Sequence, residues 1–214
     1  MEKLIKGILI AFTLLIVLLI IKILVLPDNK KYTNADFNIK TYQSKIDKDE
    51  DGINDQTDIL LNVKKYISTK PKYKSKYYET GYPDDQYGVC TDVVAFGLKG
   101  AGYNLMNLVN KDVIENKELY PIDTIDKKID FRRVKNLKIW FERNAISLTT
   151  DLKQYEEWQG GDIVIFEKHI GIVSDKRNKD KIPYLIHLAN PYQTKYEEDI
   201  LGKKYKIVGH YRMS

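Results

Sequence analysis

The sequence predicts an α+β domain behind one apolar N-terminal helix. Three features carry this. Between residues 58 and 144 apolar side chains recur at helical spacing, and from residue 160 the period shortens to strands rich in Ile, Val and Tyr. Gly7 to Ile21 runs without a charge. Helices first and strands last is the pattern of an antiparallel sheet covered on one side by helices.

Residues 4–26 read as one membrane-spanning helix, because a span needs about 20 mostly apolar residues at about 1.5 Å rise each. Lys22 falls near its end, where a long side chain reaches the interface. Pro27 and the polar Asp28-Asn29-Lys30-Lys31 stop the helix. A cleaved signal peptide would have an apolar core of about 7–15 residues and a small-x-small site. Ile23-Leu24-Val25-Leu26 are all large, so an uncleaved anchor is the expectation. Lys3 and Lys6 before the span and Lys30 and Lys31 after it nearly balance. The short N-terminus is assigned to the cytoplasm and the large domain to the outside, giving a single-pass protein of the cell membrane. The expected division is an anchor at 1–27, a polar tether at 28–46 and a folded domain at 47–214.

The chain of 214 residues carries a net +5. Without the anchor, Lys+Arg falls from 35 to 32 and Asp+Glu from 30 to 29, leaving +3. That is no concentrated basic face, and nucleic acid is excluded as a partner. The single Cys excludes an internal disulfide framework and a Cys-rich zinc site. A monomer is expected.

The elements follow in order. Ile59, Leu60, Val63, Tyr66 and Ile67 share one face of a helix over 58–68. Residues 69–88, rich in Lys, Tyr, Gly and Pro, read as a surface loop. A second helix spans 90–101 and ends at Gly100 and Gly102. A third spans 134–144, with Val134, Leu137, Trp140 and Phe141 at helical spacing. Strands are expected at 162–167, 169–174, 183–188 and 204–212, with turn residues between them.

Residues 47–58 place Asp47, Asp49, Asp51, Asp55 and Asp58 at positions 1, 3, 5, 9 and 12 of a loop with Gly52 at position 6. Alternate oxygens converging on one hard cation, a Gly for the sharp turn and the carbonyl of Ile53 at position 7 are what calcium requires. The segment resembles EF-hand and dockerin-type loops, which implies a structural Ca²⁺. It departs from them in having Asp at position 12, and no helix enters it. The competing reading is an Asp-rich turn that caps the following helix.

Cys90 is delivered by a Gly-containing loop to the first turn of a helix, where free backbone N–H groups and the dipole favour a thiolate and can hold an oxyanion. His169 falls at the tip or edge of the hairpin formed by the first two expected strands, and His187 ends the next strand. Adjacent antiparallel strands bring the two histidines side by side, the second orienting the first. Taken singly, a Cys is as well a small buried hydrophobe and a His a hydrogen-bonded structural residue. Tyr87 could donate to an oxyanion or wall the cleft. Asp92 could face the site or cap its helix. Arg132 and Arg133 suit a substrate carboxylate, or an ion pair with Asp130. His210 is read as structural.

The order of helix-borne Cys, strand-borne His and strand-borne His resembles the NlpC-type cell-wall cysteine peptidases, compact members of the papain-like superfamily. The match rests on Val89-Cys90-Thr91-Asp92, Gly161-Asp162-Ile163-Val164-Ile165-Phe166, His169-Ile170-Gly171-Ile172 and His187. Val89 stands where that family has Asp, and Thr91-Asp92 where it has Ser-Gly. A closer resemblance covers nearly all of 47–213. Gly88-Val89-Cys90-Thr91-Asp92-Val93, Ile129-Asp130-Phe131-Arg132-Arg133-Val134-Lys135-Asn136-Leu137, His169-Ile170-Gly171-Ile172-Val173-Ser174-Asp175 and Gly209-His210-Tyr211-Arg212 look like the bacterial domain-of-unknown-function-1287 family.

The first resemblance implies a papain-like fold and a cysteine hydrolase acting on peptidoglycan stem peptides. Cys90 would be the nucleophile, His169 the base and His187 its orienter, with no cofactor needed for catalysis. Two alternatives stand beside it. One is a non-enzymatic, calcium-stabilised module that binds wall peptides, and the other an acyltransferase working through a thioester on the same Cys–His pair.

Overall fold

The computed structural model describes residues 2–25, 30–203 and 205–213, and the side chains of 5–17, 30–203 and 205–213. The chain divides into two compact units, at Met1–Lys30 and Lys31–Ser214.

The first unit is one helix, α1 (Glu2–Val25). Every described side chain, from 5 to 17, is exposed, and Thr13 spends its hydroxyl on the Leu9 carbonyl one turn back (2.7 Å). Among the described residues no helix is long and apolar enough to cross a membrane. The rest of the expected span, 18–26, falls where side chains are not described, and residues 26–29 lie outside the description altogether.

The second unit begins with a correction. Residues 31–46, expected as a tether, are hydrogen-bonded onto the domain. The Tyr32 N–H donates to the Arg177 carbonyl (2.9 Å), and the Tyr32 carbonyl accepts the return bond from the Arg177 N–H (2.7 Å). Asn34 accepts from Arg177 Nε (2.6 Å) and donates to Gln159 Oε1 (2.8 Å). Arg177 is buried, and its guanidinium also donates to the carbonyls of Trp158 and Lys181.

Next come α2 (Asp55–Ser68), the two-residue strands β1 (Lys72–Tyr73) and β2 (Tyr87–Gly88), then α3 (Cys90–Gly100), α4 (Leu105–Glu115), α5 (Lys127–Asp130) and α6 (Val134–Asn144). The sheet strands are β3 (Ile146–Ser147), β4 (Ile163–Phe166), β5 (Ile170–Arg177), β6 (Pro183–Ile186), β7 (Glu197–Glu198) and β8 (Ile207–Arg212). Their order is β3-β8-β4-β5-β6-β7, every pair antiparallel. The helices over 90–101 and 134–144 and the four expected strands fall within a few residues of their expected bounds. The helix expected from 58 starts at Asp55, because the Asn54 side chain caps it by accepting from the Thr57 N–H (3.2 Å). The loop at 69–88 is pinned by a parallel β1–β2 bridge.

Alternation along the strands divides the core. Ile163, Ile165, Ile170 and Ile172 point to the helices and pack with Val93, Val94, Leu98, Leu137 and Phe141. Val164, Phe166, Val173 and Leu185 point the other way, against Trp158 and Leu201. The sheet is therefore covered on both faces, not on one as the sequence suggested. Gly97 lets α2 and α3 approach closely: a Cβ there would stand 2.3 Å from Val63 Cγ2.

Candidate active site

Cys90 is the first residue of α3, after Val89 in extended conformation (φ −136°, ψ −179°). Asp92 holds this entry. Its Oδ2 accepts from the Val89 N–H (2.8 Å), while the Arg132 guanidinium grips both carboxylate oxygens. Arg132 also donates to the Lys76 carbonyl (2.8 Å) and lies over the Tyr78 ring, and Thr91 donates to the Arg132 carbonyl (3.2 Å). One arginine thus ties α3, the loop at 69–88 and the α5–α6 connection together. Of the two readings of Asp92 the capping one holds, and Arg132, read as suited to a substrate carboxylate or an ion pair with Asp130, is enclosed and pairs with Asp92 instead. Arg133 is exposed, 3.8 Å from Asp130. Tyr87, half-buried on β2, lies under the ammonium groups of Lys74 (5.1 Å) and Lys76 (5.6 Å).

The Cys90 thiol is partly buried, and burial pushes its pKa up to about 11. The N–H of Ile170 at the start of β5 offsets part of that shift, the Asp92 charge adds to it, and the N–H groups of Thr91 and Cys90 offset it further. Helix position alone suggested a ready thiolate, but desolvation outweighs the dipole. The same contacts place the sulfur against the Ile170 N–H.

His169 sits at the tip of the β4–β5 hairpin, where its carbonyl accepts from the Phe166 N–H (2.8 Å). Its Nε2 lies 2.9 Å from Nδ1 of His187, the residue that follows β6. His187 is buried, and its Nε2 lies 3.0 Å from Glu198 Oε2 on β7. With both rings neutral, these contacts are satisfied by one assignment of tautomers. A carboxylate only accepts, so His187 carries its proton on Nε2 and its Nδ1 accepts. His169 must then donate from Nε2, which leaves Nδ1 as its basic nitrogen. Sequence reasoning missed Glu198, whose two-residue strand has no periodicity to read.

A cavity of about 470 Å³ opens beside His169, lined by Phe166, Glu167, Lys168, Ala189, Tyr205 and Lys206. His210 lies elsewhere, as expected of a structural residue. It stacks on Trp158 (3.8 Å between centroids) and bonds the Thr149 carbonyl (2.7 Å) and Asp162 (3.1 Å). Asp162 is fully buried. Burial alone would raise its pKa, but hydrogen bonds from His210 and Arg212 outweigh that and hold it below the usual carboxylate range.

The acidic loop divides in two. Asp47, Asp49 and Asp51 bring one oxygen each within 4.8 Å of one another. Asp55 turns inward instead, accepting from the Lys48 N–H (2.8 Å) and the Tyr103 hydroxyl. It is corrected from ligand to anchor. The Ile53 N–H donates to Asp51 (2.8 Å), and Asp58 is buried on α2.

Comparison with known proteins covers the segments that hold Cys90, Arg132, His169 and His210. The sequence profile of the domain of unknown function DUF1287 matches residues 61–213. The uncharacterized protein YijF of Escherichia coli (strain K12) is 37% identical over 151 residues, which is 66% of this chain and 72% of YijF. No solved structure matches. The matched stretch includes the residues that order the α3 entry and the His169 hairpin, and the chain belongs to the DUF1287 family.

Proposed function

We propose that the protein is a cysteine hydrolase that cleaves amide bonds in cell-wall peptides, held to the membrane by α1 with its folded unit outside the cell. The observation that carries the reading is the line His169–His187–Glu198, which fixes a basic nitrogen on the residue adjoining Ile170, whose N–H faces the Cys90 sulfur. The resemblance to the NlpC-type peptidases supplies the substrate class and the papain-like fold. The anchor rests on a 24-residue helix whose described side chains are nearly all apolar.

The chemistry follows from the tautomers. As the Cys90 sulfur attacks the amide carbonyl, its proton passes to His169 Nδ1. The oxygen takes up the electron pair, stabilised by backbone N–H groups at the start of α3. His169 then returns the proton to the leaving amine as the C–N bond breaks. Water, deprotonated by His169, attacks the thioester, releasing the acid and restoring the thiol. His187 donates no proton to substrate. Its bond to Glu198 stabilises the positive charge that His169 gains at each transfer. The basic nitrogen compensates for the unreactive resting thiol.

The experiment is to incubate the full chain in detergent with purified peptidoglycan and to identify released muropeptides by mass spectrometry. Release by the parent and none by Cys90→Ala supports the reading, and equal release by both overturns it. The high thiol pKa favours one rival, a wall-peptide-binding module without turnover. That rival predicts retention of muropeptides by both proteins and release by neither.

A further inference from the structure

The cavity of about 470 Å³ beside His169 is walled by the base but not by Cys90. The Ala189 wall is fastened to the histidine pair. The Ala189 N–H donates to Gln193 Oε1 (2.5 Å), and the Gln193 amide donates to the His187 carbonyl (3.0 Å). Phe166 and Tyr205 meet edge to face, 5.7 Å between centroids, and supply aromatic surface. Two ammonium groups complete the lining, Lys168 on the β4–β5 turn and Lys206 just before β8. Both lysines are exposed, and neither has an ion-pair partner among the described residues. Glu167 is the one acid among the described lining residues, so two lysines against one carboxylate leave the cavity at +1 while His169 is neutral.

The proton transfers say which part of a substrate this cavity meets. A base that returns its proton to the leaving amine lies next to that amine. A cavity walled by His169 and not by Cys90 therefore receives the residue that departs with the nitrogen, not the acyl part held on sulfur. We propose that Lys168 and Lys206 bind a carboxylate on this leaving residue. The inference rests on the hydrolase reading above and adds the chemistry of one half of its substrate. Ammonium groups hold a carboxylate by charge-assisted hydrogen bonds, and Phe166 and Tyr205 can cover the apolar stem that carries it. A carboxamide of the same shape forfeits the charge, and a second cation is repelled. Amidation of that carboxyl would thus protect a peptide from the enzyme.

The test uses the full chain in detergent carrying Cys90→Ala, so that binding is read without turnover. The probes are L-alanyl-γ-D-glutamyl-L-alanine with both carboxyls free and its diamide, titrated by calorimetry at low salt. Whichever amide bond is the scissile one, the leaving residue differs between the two. The free acid should bind about tenfold tighter or more. Lys168→Ala with Lys206→Ala should erase the preference by weakening the acid alone, and Lys168→Arg with Lys206→Arg should keep it. Lys65→Ala with Lys135→Ala removes the same charge from exposed positions elsewhere and should leave the preference intact. Equal binding of the two probes overturns the proposal, as does a preference that survives the Lys168 and Lys206 alanine changes or vanishes with the Lys65 and Lys135 ones. Cleavage of both probes at equal rates by the parent would keep the hydrolase reading and remove this subsite. Selective binding without any muropeptide release would keep the carboxylate site and remove hydrolysis.

Discussion

Arg132 and Asp92 form a two-pronged ion pair, Nε to Oδ1 at 2.7 Å and Nη2 to Oδ2 at 2.9 Å, with both side chains almost fully enclosed. Removing one partner strands the other as an unpaired buried charge. Arg132→Ala should therefore cost about 3–5 kcal/mol. Arg132→Lys keeps the charge but loses the fork and should still cost more than about 1 kcal/mol. Urea unfolding of the two variants measures both. Parental stability in Arg132→Ala would show that the pair does not hold the α3 entry.

Glu198 sets the tautomers of both histidines. In Glu198→Gln the new amide can donate to His187 Nε2, moving the His187 proton to Nδ1 and the His169 proton from Nε2 to Nδ1. The base is then blocked, and turnover should fall by roughly a hundredfold or more. Glu198→Ala, which admits water and imposes no wrong donor, should be the more active of the two. Rates on peptidoglycan together with ¹⁵N shifts of the imidazoles decide this. Equal rates in both variants would remove the relay from the mechanism.

With its pKa pushed up to about 11, the Cys90 thiol is almost wholly protonated at neutral pH, with roughly one part in ten thousand as thiolate. Alkylation by iodoacetamide should be much slower than that of free cysteine at pH 7, and should keep rising through pH 10. A plateau below pH 8 would mean that a thiolate stands ready and that burial does not control the sulfur.

Glu197 pairs with Lys31 (2.9 Å) and Lys176 (2.8 Å) and accepts from the Ser174 hydroxyl. Burial opposes its ionisation, but these partners win and hold its pKa at about 2 against an ordinary 4.5. A depressed carboxyl contributes stability above its unfolded pKa and loses it as pH falls toward the folded one. The parent should therefore lose up to about 3 kcal/mol between pH 4.5 and 2 that Glu197→Gln has already lost at pH 7. Melting curves of the two proteins across that range should converge on acidification. Parallel curves would rule out the linkage.

The helix over 134–144 was legible because Leu137, Trp140 and Phe141 repeat at helical spacing, and these are the side chains it buries. The strand at β4 was legible as a short β-branched run. The helix α4 was not, although Leu105, Val109, Asp112 and Val113 form its buried face and Asn104 caps it by accepting from the Asn107 N–H (3.2 Å). Asn107 and Asn110 inside it and Asn104 and Asn116 at its ends weaken its helical signal. The Asp92–Arg132 pair spans 40 residues, and no local pattern could reveal it. The histidine pair was legible because strand pairing is local, whereas Glu198 reaches His187 across a loop and a short strand that carry no repeat.

The hydrogen bond between Asn34 and Arg177 spans 143 residues. A chain made from its N-terminus exposes Asn34 long before Arg177 exists. The bonds of Tyr32 and Asn34 to Arg177 must therefore wait while the helices and the β4–β5 hairpin are synthesised, and they form only once the partner strand exists. Docking over such a separation carries a large loop-closure entropy and belongs among the late folding events. The stretch that opens the folded unit is thus completed near the end of its assembly, and a chain truncated before Arg177 would leave that stretch with nothing to close upon.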